Sequence, residues 1–507
     1  MKNKIINFAD VEKVLKSIKQ KKKKIVHCHG VFDLLHIGHL KHFESAKKYG
    51  DILIISVTPD KFVQKGFNRP YFSSEQRMQI LASIEVIDFV VLNKSTNAVD
   101  IIRKIKPDYY CKGPDYKNFK DDITGQIRNE MLEVKKNGGQ LVYSNDPIYS
   151  SSSVLNQSGH IYDLFQRSFI KKIKSIINRD NFDKQINKLK KLKVLVLGET
   201  IIDKYVFCEA IGKSGKEPHL VLRDLSEEMY PGGVIAIARN ISDFCNQITV
   251  LSMLGKDGEY EEYIKKILPK NVKTQFLYKS ESPTIIKKRY IEKVSKNKIL
   301  GIYTMNDDLL NNKDELVFKK MIQKEIKKHD LVIVSDYGHG LITKKLAKLL
   351  CKNSRYLALN TQSNASNIGY HTIQKYKNVD CVVMNETELR HELRDKNEKS
   401  VILAKRLSGM ININNLIITK GSDGAFLYNS FDKKYFNCPA FASKVIDKVG
   451  AGDAMLSIIS ILLKLKFNSM ITLFLGSLAG ALSVEQMSNK VPINKIKLLK
   501  YFNHILK

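Results

Sequence analysis

Short apolar runs alternate with amphipathic stretches along almost the whole chain, and this alternation restricts the fold more than any other feature. Strand-like runs at residues 24–28, 52–57, 89–92 and 140–143 are separated by helix-period patterns at 40–49, 74–84 and 98–105. Strand and helix in repeated succession build a mostly parallel sheet with helices on its faces. The rhythm stops at about 160–192, where Lys-rich helical patterns (161–177 and 182–192) carry no strand signal. It resumes at Lys193-Val194-Leu195-Val196-Leu197-Gly198 and continues with runs at 247–251, 331–334, 356–359, 381–384 and 416–419. A chain of 507 residues exceeds one ordinary domain. The expected architecture is α/β: two doubly wound, mostly parallel-sheet domains, 1–158 and 193–507, joined by a helical linker, 159–192.

Composition narrows the setting. No window approaches 18 consecutive apolar residues, so no membrane partner is expected, and the first residues lack the apolar stretch of a secretory signal. Seven cysteines are scattered without a CxxC pair, which argues from spacing against a disulfide framework and against structural zinc. A reducing cytoplasm is the expected location. The formal charge is +32. Such a charge suits a polyanion such as nucleic acid. Here the lysines are spread evenly and no nucleic-acid-binding motif accompanies them, so solvated helix faces are the better reading. Phosphorylated substrates would be drawn by the same field.

The first strand leads into Gly30-Val31-Phe32-Asp33-Leu34-Leu35-His36-Ile37-Gly38-His39. Gly30 lets backbone approach a ligand closely. His36 and His39, three apart at a helix start, can aim both imidazoles and the helix N-terminus at one anion. Nucleotidyl transfer develops negative charge on the α-phosphate and the departing pyrophosphate, and donors fixed there beforehand lower the barrier. Five of the 12 histidines fall between His27 and His42. Metal binding is the competing reading, but a closed zinc site wants four ligands and only Cys28 is close in sequence.

The stretch 22–158 resembles the cytidylyltransferase-like nucleotidyltransferases, particularly that half of bacterial ADP-heptose synthases and the glycerol-phosphate cytidylyltransferases. His36-Ile37-Gly38-His39 matches the family's HxGH motif, Arg69-Pro70 through Ser74-Glu75-Gln76-Arg77 its RP…EQR stretch, and Lys112-Gly113-Pro114-Asp115-Tyr116 its glycine-bearing segment. Ser150-Ser151-Ser152 stands where the family carries a nucleotide-binding turn. The resemblance implies catalytic roles for His36, His39 and Lys41. It implies nucleotide binding by Gly30, Phe32, Asp33, Lys112, Gly113 and Ser150–Ser152. Lys41 resembles the glycerol-phosphate branch, yet the arginine that branch carries before its Ser/Thr turn is replaced, with Asn145 the nearest match. Adenine and cytosine both remain open.

The most specific signal is Asp447-Lys448-Val449-Gly450-Ala451-Gly452-Asp453-Ala454. Small residues at 450–452 leave N–H groups clear to surround a transferring phosphoryl group at a helix N-terminus, and Asp453 can take a proton from an attacking hydroxyl. The segment resembles the DTxGAGD signature of ribokinase-like (pfkB) sugar kinases. Other pieces follow in order: the opening strand ending in Asp203, the pair Gly232-Gly233, Ser335-Asp336-Tyr337-Gly338-His339-Gly340, the NxxE-type Asn385–Glu388, and the turn from Thr419 through Gly421 to Gly424. The resemblance implies sugar binding by Asp203, Gly232 and Gly233, and an anion hole at Gly450, Ala451 and Gly452. Asn385 and Glu388 would organise Mg2+ and phosphate, and Thr419, Gly421 and Gly424 would bind nucleotide. Lys448 replaces the usual Thr, Ala236 an expected Asn, and Asn360-Thr361-Gln362 a DPK-like stretch.

Together the halves resemble a bifunctional ADP-heptose synthase with reversed domain order. A kinase would phosphorylate a sugar or sugar phosphate. A nucleotidyltransferase would then transfer a nucleotidyl group from ATP or CTP, giving an activated sugar for surface glycans. Both families imply a homodimer. The competing readings are an active nucleotidyltransferase with a degenerate, regulatory kinase half, and a basic nucleic-acid-binding protein.

Overall fold

A computed structural model describes residues 4–63, 69–114, 126–144 and 162–506. They form two compact units, Met1–Leu164 with Leu499–Lys507, and Phe165–Leu498.

The first unit is a six-stranded parallel sheet of β1 (Ile5–Ile6), β2 (Ile25–Gly30), β3 (Ile52–Val57), β4 (Phe89–Leu92), β5 (Tyr109–Lys112) and β6 (Gln140–Tyr143). The strand order is β1-β4-β3-β2-β5-β6. Alternate residues serve opposite faces: Val26, Cys28, Leu53 and Ile55 join one buried cluster with Phe43, while Ile25, Ile54 and Tyr110 join another with Ile101 and Ile102. Burial on both faces is why β2 and β3 read as continuous apolar runs. The winding reverses between β2 and β5, which pair through Val26↔Tyr109 and His27↔Tyr110. A reversal of this kind leaves a crevice beyond the carboxyl ends of the two strands, where ligands of doubly wound folds bind. Strand β5 is a four-residue run, YYCK, and was not expected from the pattern.

The second unit holds a nine-stranded sheet. Its members are β7 (Lys193–Gly198), β10 (Gln247–Gly255), β11 (Val272–Lys279), β14 (Leu331–Asp336), β15 (Leu357–Thr361), β16 (Val379–Asn385), β17 (Ile413–Thr419), β18 (Ala425–Asn429) and β19 (Lys434–Cys438). Their order is β11-β10-β7-β14-β15-β16-β17-β18-β19, parallel up to β17 and antiparallel beyond it. A separate four-stranded sheet, β13-β12-β8-β9, is made by β8 (Thr200–Lys213), β9 (Leu220–Gly232), β12 (Ile285–Glu292) and β13 (Lys298–Thr304). The sequence pattern did not foretell this sheet. Its outer stretches carry Arg223, Asp224, Glu227 and Glu228 among exposed Leu220 and Leu225, so the apolar alternation is faint.

Helices Leu164–Ile176 and Arg179–Lys188 occupy the stretch 159–192. They bury Phe169, Ile173, Phe182 and Ile186, and the Phe169 ring meets the edge of Phe474 at 5.4 Å. Helices Ala451–Lys464 and Ser469–Val484 are apolar all round because they lie inside the unit. Gly476 permits their close approach, since a Cβ there would come 2.5 Å from Ile459. Among the described residues no helix is long and apolar enough to cross a membrane.

Candidate active sites

In the first unit, β2 ends at Gly30, where a Cβ would lie 2.8 Å from the Phe32 ring. Phe32 itself has φ +48, so the chain turns sharply there. Asp33 is buried and holds a loop rather than facing open space. One oxygen accepts from the backbone N–H groups of Tyr71 and Phe72 (2.7 and 3.0 Å), the other from Arg69 (3.0 Å). Arg77, also buried, donates to the carbonyls of Val31, Thr58 and Phe72 and to Asp60. The RP…EQR stretch is thus the scaffold that fixes three loops beneath the site. Nothing in the residue types alone distinguished that role from ligand contact.

His36 caps helix Ile37–Lys47, its Nδ1 accepting from the Gly38 N–H at 3.2 Å. The His36 and His39 rings lie with centroids 4.0 Å apart. The two imidazoles therefore converge at the helix start, at the carboxyl end of β2. Lys41 is exposed one turn further along. Across the switch point, Lys112 ends β5 and pairs with Glu130 at 3.0 Å, both nearly buried. Glu130 also accepts from Tyr110 Oη and the Ala98 N–H, each at 2.9 Å. Burial works against its charge, but Lys112 prevails and holds the carboxyl at about 2. Glu130 is a positioning residue that sequence reading missed. It sits 18 residues from its partner with no motif around it. Gly113 has open space where a Cβ would be. His29, against Ser56 at 2.7 Å, is kept neutral down to about 4, by burial first and then by Lys112. Ser150, Ser151, Ser152 and Asn145 lie outside the described residues.

In the second unit, Gly450 has φ +90 and caps helix Ala451–Lys464; a Cβ there would fall 2.2 Å from Asn489 Oδ1. Gly452 has no atom within 4 Å of a would-be Cβ, so the space beside it is open. Asp453 follows and accepts from Tyr337 Oη at 2.7 Å. Burial pushes its carboxyl up to about 7; Tyr337 and Lys287 oppose this, while Asp203 adds to it. A base poised there accepts a proton near neutral pH.

Asp203, on β8, is ion-paired with Arg289 on β12. A Cβ on Gly232 would strike Asp203 at 2.7 Å, and Gly233 has φ +58 with Glu199 O where its Cβ would go. Asp203, Gly232 and Gly233 are therefore brought together, and the left-handed backbone and the Glu199 carbonyl leave no room for a side chain at Gly233. Lys287, buried on the same strand as Arg289, lies 5.7 Å from the Tyr337 ring. Lys287 and Arg289 are two cations beside Asp203 that no motif signalled. They belong to the small sheet that the pattern failed to announce.

Asn385 and Glu388 form a reciprocal cap on helix Glu386–Leu393: the Asn385 side chain accepts from the Glu388 N–H and the Glu388 carboxylate from the Asn385 N–H, both 2.8 Å. Burial raises Glu388 to about 7. Asn385 lies in register with Thr419 on β17. Beyond it the chain turns through Gly421 (φ +60) and Gly424 (φ +85), where a Cβ would meet Cys438 O at 2.1 Å. Asp447 gathers four donors: Tyr205 Oη (2.5 Å), Lys298 Nζ (2.6 Å) and the N–H groups of Val449 and Ser488. Lys448 is exposed.

Known proteins resemble each unit. Residues 191–495 match the pfkB family carbohydrate kinases, and residues 27–157 match the cytidylyltransferase-like family. The "Bifunctional protein HldE" of Aliarcobacter butzleri is 40% identical over 134 residues, which are 26% of this chain and 28% of that protein. The protein of the same name from Helicobacter pylori is 40% identical over 149 residues, 29% and 30% of the two chains. These matches lie in the N-terminal part, and the chain spans under a third of the relatives' length. Phosphofructokinase-2 from Escherichia coli in complex with potassium shares the fold at TM-score 0.52 and 16% identity, over 62% of this chain and 99% of that one. The same enzyme with substrates and products gives 0.51 over the same shares. The sequence match over three-fifths of the chain and the likeness of fold agree: the chain belongs to the pfkB family of carbohydrate kinases, and a cytidylyltransferase-like segment precedes its kinase fold.

Proposed function

We propose that the chain is a bifunctional enzyme. Its second unit would phosphorylate a sugar or sugar phosphate, and its first would transfer a nucleotidyl group from ATP or CTP to a sugar phosphate. The observation that carries the kinase half is Asp453, a carboxyl held near 7 beside the Gly450–Gly452 turn and facing the Asp203, Lys287 and Arg289 cluster. A sugar hydroxyl would give its proton to Asp453 as its oxygen attacks the γ-phosphorus of ATP; ADP leaves as the bond to the β-bridging oxygen breaks. N–H groups of the turn would carry the charge on the moving phosphoryl group. Lys287 and Arg289 favour a substrate that already bears a phosphate.

Mg2+ fits the donor set, because Glu388 is a buried carboxylate with no ion pair among the described residues. Asn385 and Glu388 would hold the ion, which when bound neutralises triphosphate charge. In the first unit a sugar-phosphate oxygen would attack the α-phosphorus of the nucleoside triphosphate, with pyrophosphate leaving. His36 and His39 would stabilise the developing charge, Lys41 would meet the outgoing phosphates, and Lys112 would hold the nucleotide. A nucleotide-activated sugar for surface glycans is the product this sequence of steps gives. Exposed Leu220, Leu300 and Ile302 on the small sheet suit a homodimer contact.

Mass spectrometry of products formed from pooled sugars and sugar phosphates with ATP and CTP tests the reading. Nucleotide sugars are expected. Loss of the phosphorylated intermediate in Asp453→Asn, and of pyrophosphate release in a His36→Ala, His39→Ala double variant, should separate the two steps. Unchanged products in either variant would overturn its half.

A further inference from the structure

The cysteines are far apart in sequence, and their spacing argued against zinc. The fold nevertheless brings three such residues of the first unit together. Cys28 lies on β2, Cys111 on β5, and His42 on helix Ile37–Lys47, and one ligand atom of each lies within 4.8 Å of the other two. The strands pair in parallel at His27↔Tyr110, so Cys28 and Cys111 are the next residues on both and share a face. Both cysteines are buried and His42 is half-buried. Ser144 Oγ sits 3.0 Å from His42 Nδ1 and would fix the ring's orientation, as a hydrogen-bond partner commonly does for a metal-bound imidazole.

From this geometry we infer that Cys28, Cys111 and His42 form a binding site for one thiophilic divalent cation of the zinc class. Two sulfurs and one imidazole are a soft set that selects against Mg2+ and Ca2+. Tetrahedral bonds of roughly 2.3 Å to sulfur and 2.0 Å to nitrogen place ligand atoms about 3.5–3.8 Å apart. The present spacing needs side-chain shifts of about 1 Å to reach that. Binding balances as one cation taken up and two thiol protons released, with water completing the fourth position.

The placement gives the metal a structural task. β2 leads to Gly30 and the turn at Phe32, the helix begins at His36, and β5 ends at Lys112. A bond from each of these elements to one ion would tie together the three pieces that carry the proposed nucleotide site. The alternative is two core cysteines packed as small apolar groups.

The full-length chain, expressed with added Zn2+ and stripped of loosely held metal by passage over a chelating resin, should retain about one zinc per chain by plasma mass spectrometry. Replacing zinc with Co2+ should give sulfur-to-cobalt charge-transfer absorption in the near ultraviolet and tetrahedral bands in the visible. Both should vanish in Cys28→Ser with Cys111→Ser. His42→Gln leaves the buried cysteines in place and should weaken Co2+ binding at least tenfold while altering the visible bands. Two outcomes overturn the inference: seven titratable thiols with no retained metal in the folded wild type, or a Cys28–Cys111 disulfide in the purified protein. A Co2+ spectrum unchanged by His42→Gln removes His42 from the site. Because the readouts are metal content and spectra, failure of the proposed nucleotidyl transfer leaves them unaffected.

Discussion

Replacing Tyr337 with Phe isolates one hydrogen bond at the proposed kinase base. The ring stays, so the packing of a side chain that is 3% exposed is kept. What goes is the O–H that donates to Asp453 Oδ1 at 2.7 Å. That donor favours the charged carboxylate, so its removal raises the carboxyl further. A hydrogen bond to a charged group contributes about 1.5–3 kcal/mol, and water reaching the partly exposed Asp453 recovers some of it. A remaining loss of about 1.4 kcal/mol equals roughly one pKa unit. The group held at about 7 in the wild type would then titrate near ~8 in the variant. The acid limb of kcat/KM for phosphorylation should move by the same amount. At pH 6 the variant should be about tenfold slower than wild type, and at pH 9 within about twofold. The assay is ADP release across pH 5.5–9.5 with the sugar phosphate identified by product analysis. A uniform loss at every pH, or an acid limb that stays in place, would refute the role given to the Tyr337–Asp453 bond.

Other perturbations discriminate further. Gly450→Ala forces a side chain into left-handed backbone and onto Asn489 Oδ1, so the second unit should lose about 1–3 kcal/mol in denaturant melts and its turnover should fall more than tenfold. Glu130→Gln leaves Lys112 buried without its charge partner. The first unit should lose about 3 kcal/mol, with a raised KM for the nucleoside triphosphate in pyrophosphate-release assays. Lys287→Met should raise KM for a phosphorylated sugar at least tenfold and leave an unphosphorylated one nearly unaffected, as competition assays would show.

Much of this was legible in the sequence because the strands concerned are central and apolar. β2, β3, β7, β14 and β16 announce themselves, and the HxGH segment lies just beyond the end of β2. Glycines 233, 424 and 450 were readable because only glycine satisfies the backbone angles or the crowding found there. The residues that were missed depend on side chains meeting across long separations. Glu130 meets Lys112 and the Ala98 N–H from a helix with no motif around it. Lys287 and Arg289 ride on a half-exposed sheet whose polar residues hide its period. Cys28 and Cys111 became neighbours only through the β2–β5 pairing, which a four-residue strand of two tyrosines, a cysteine and a lysine did not announce.

The four bonds to Asp447 join two distant parts of the second unit. Two of its donors, Tyr205 and Lys298, come from the small sheet, and a third, the Val449 N–H, belongs to the turn that leads into Gly450. One carboxylate thus makes the seating of that sheet and the shape of the turn at Gly450 interdependent. A change that loosens either one is felt by the other through that single carboxylate.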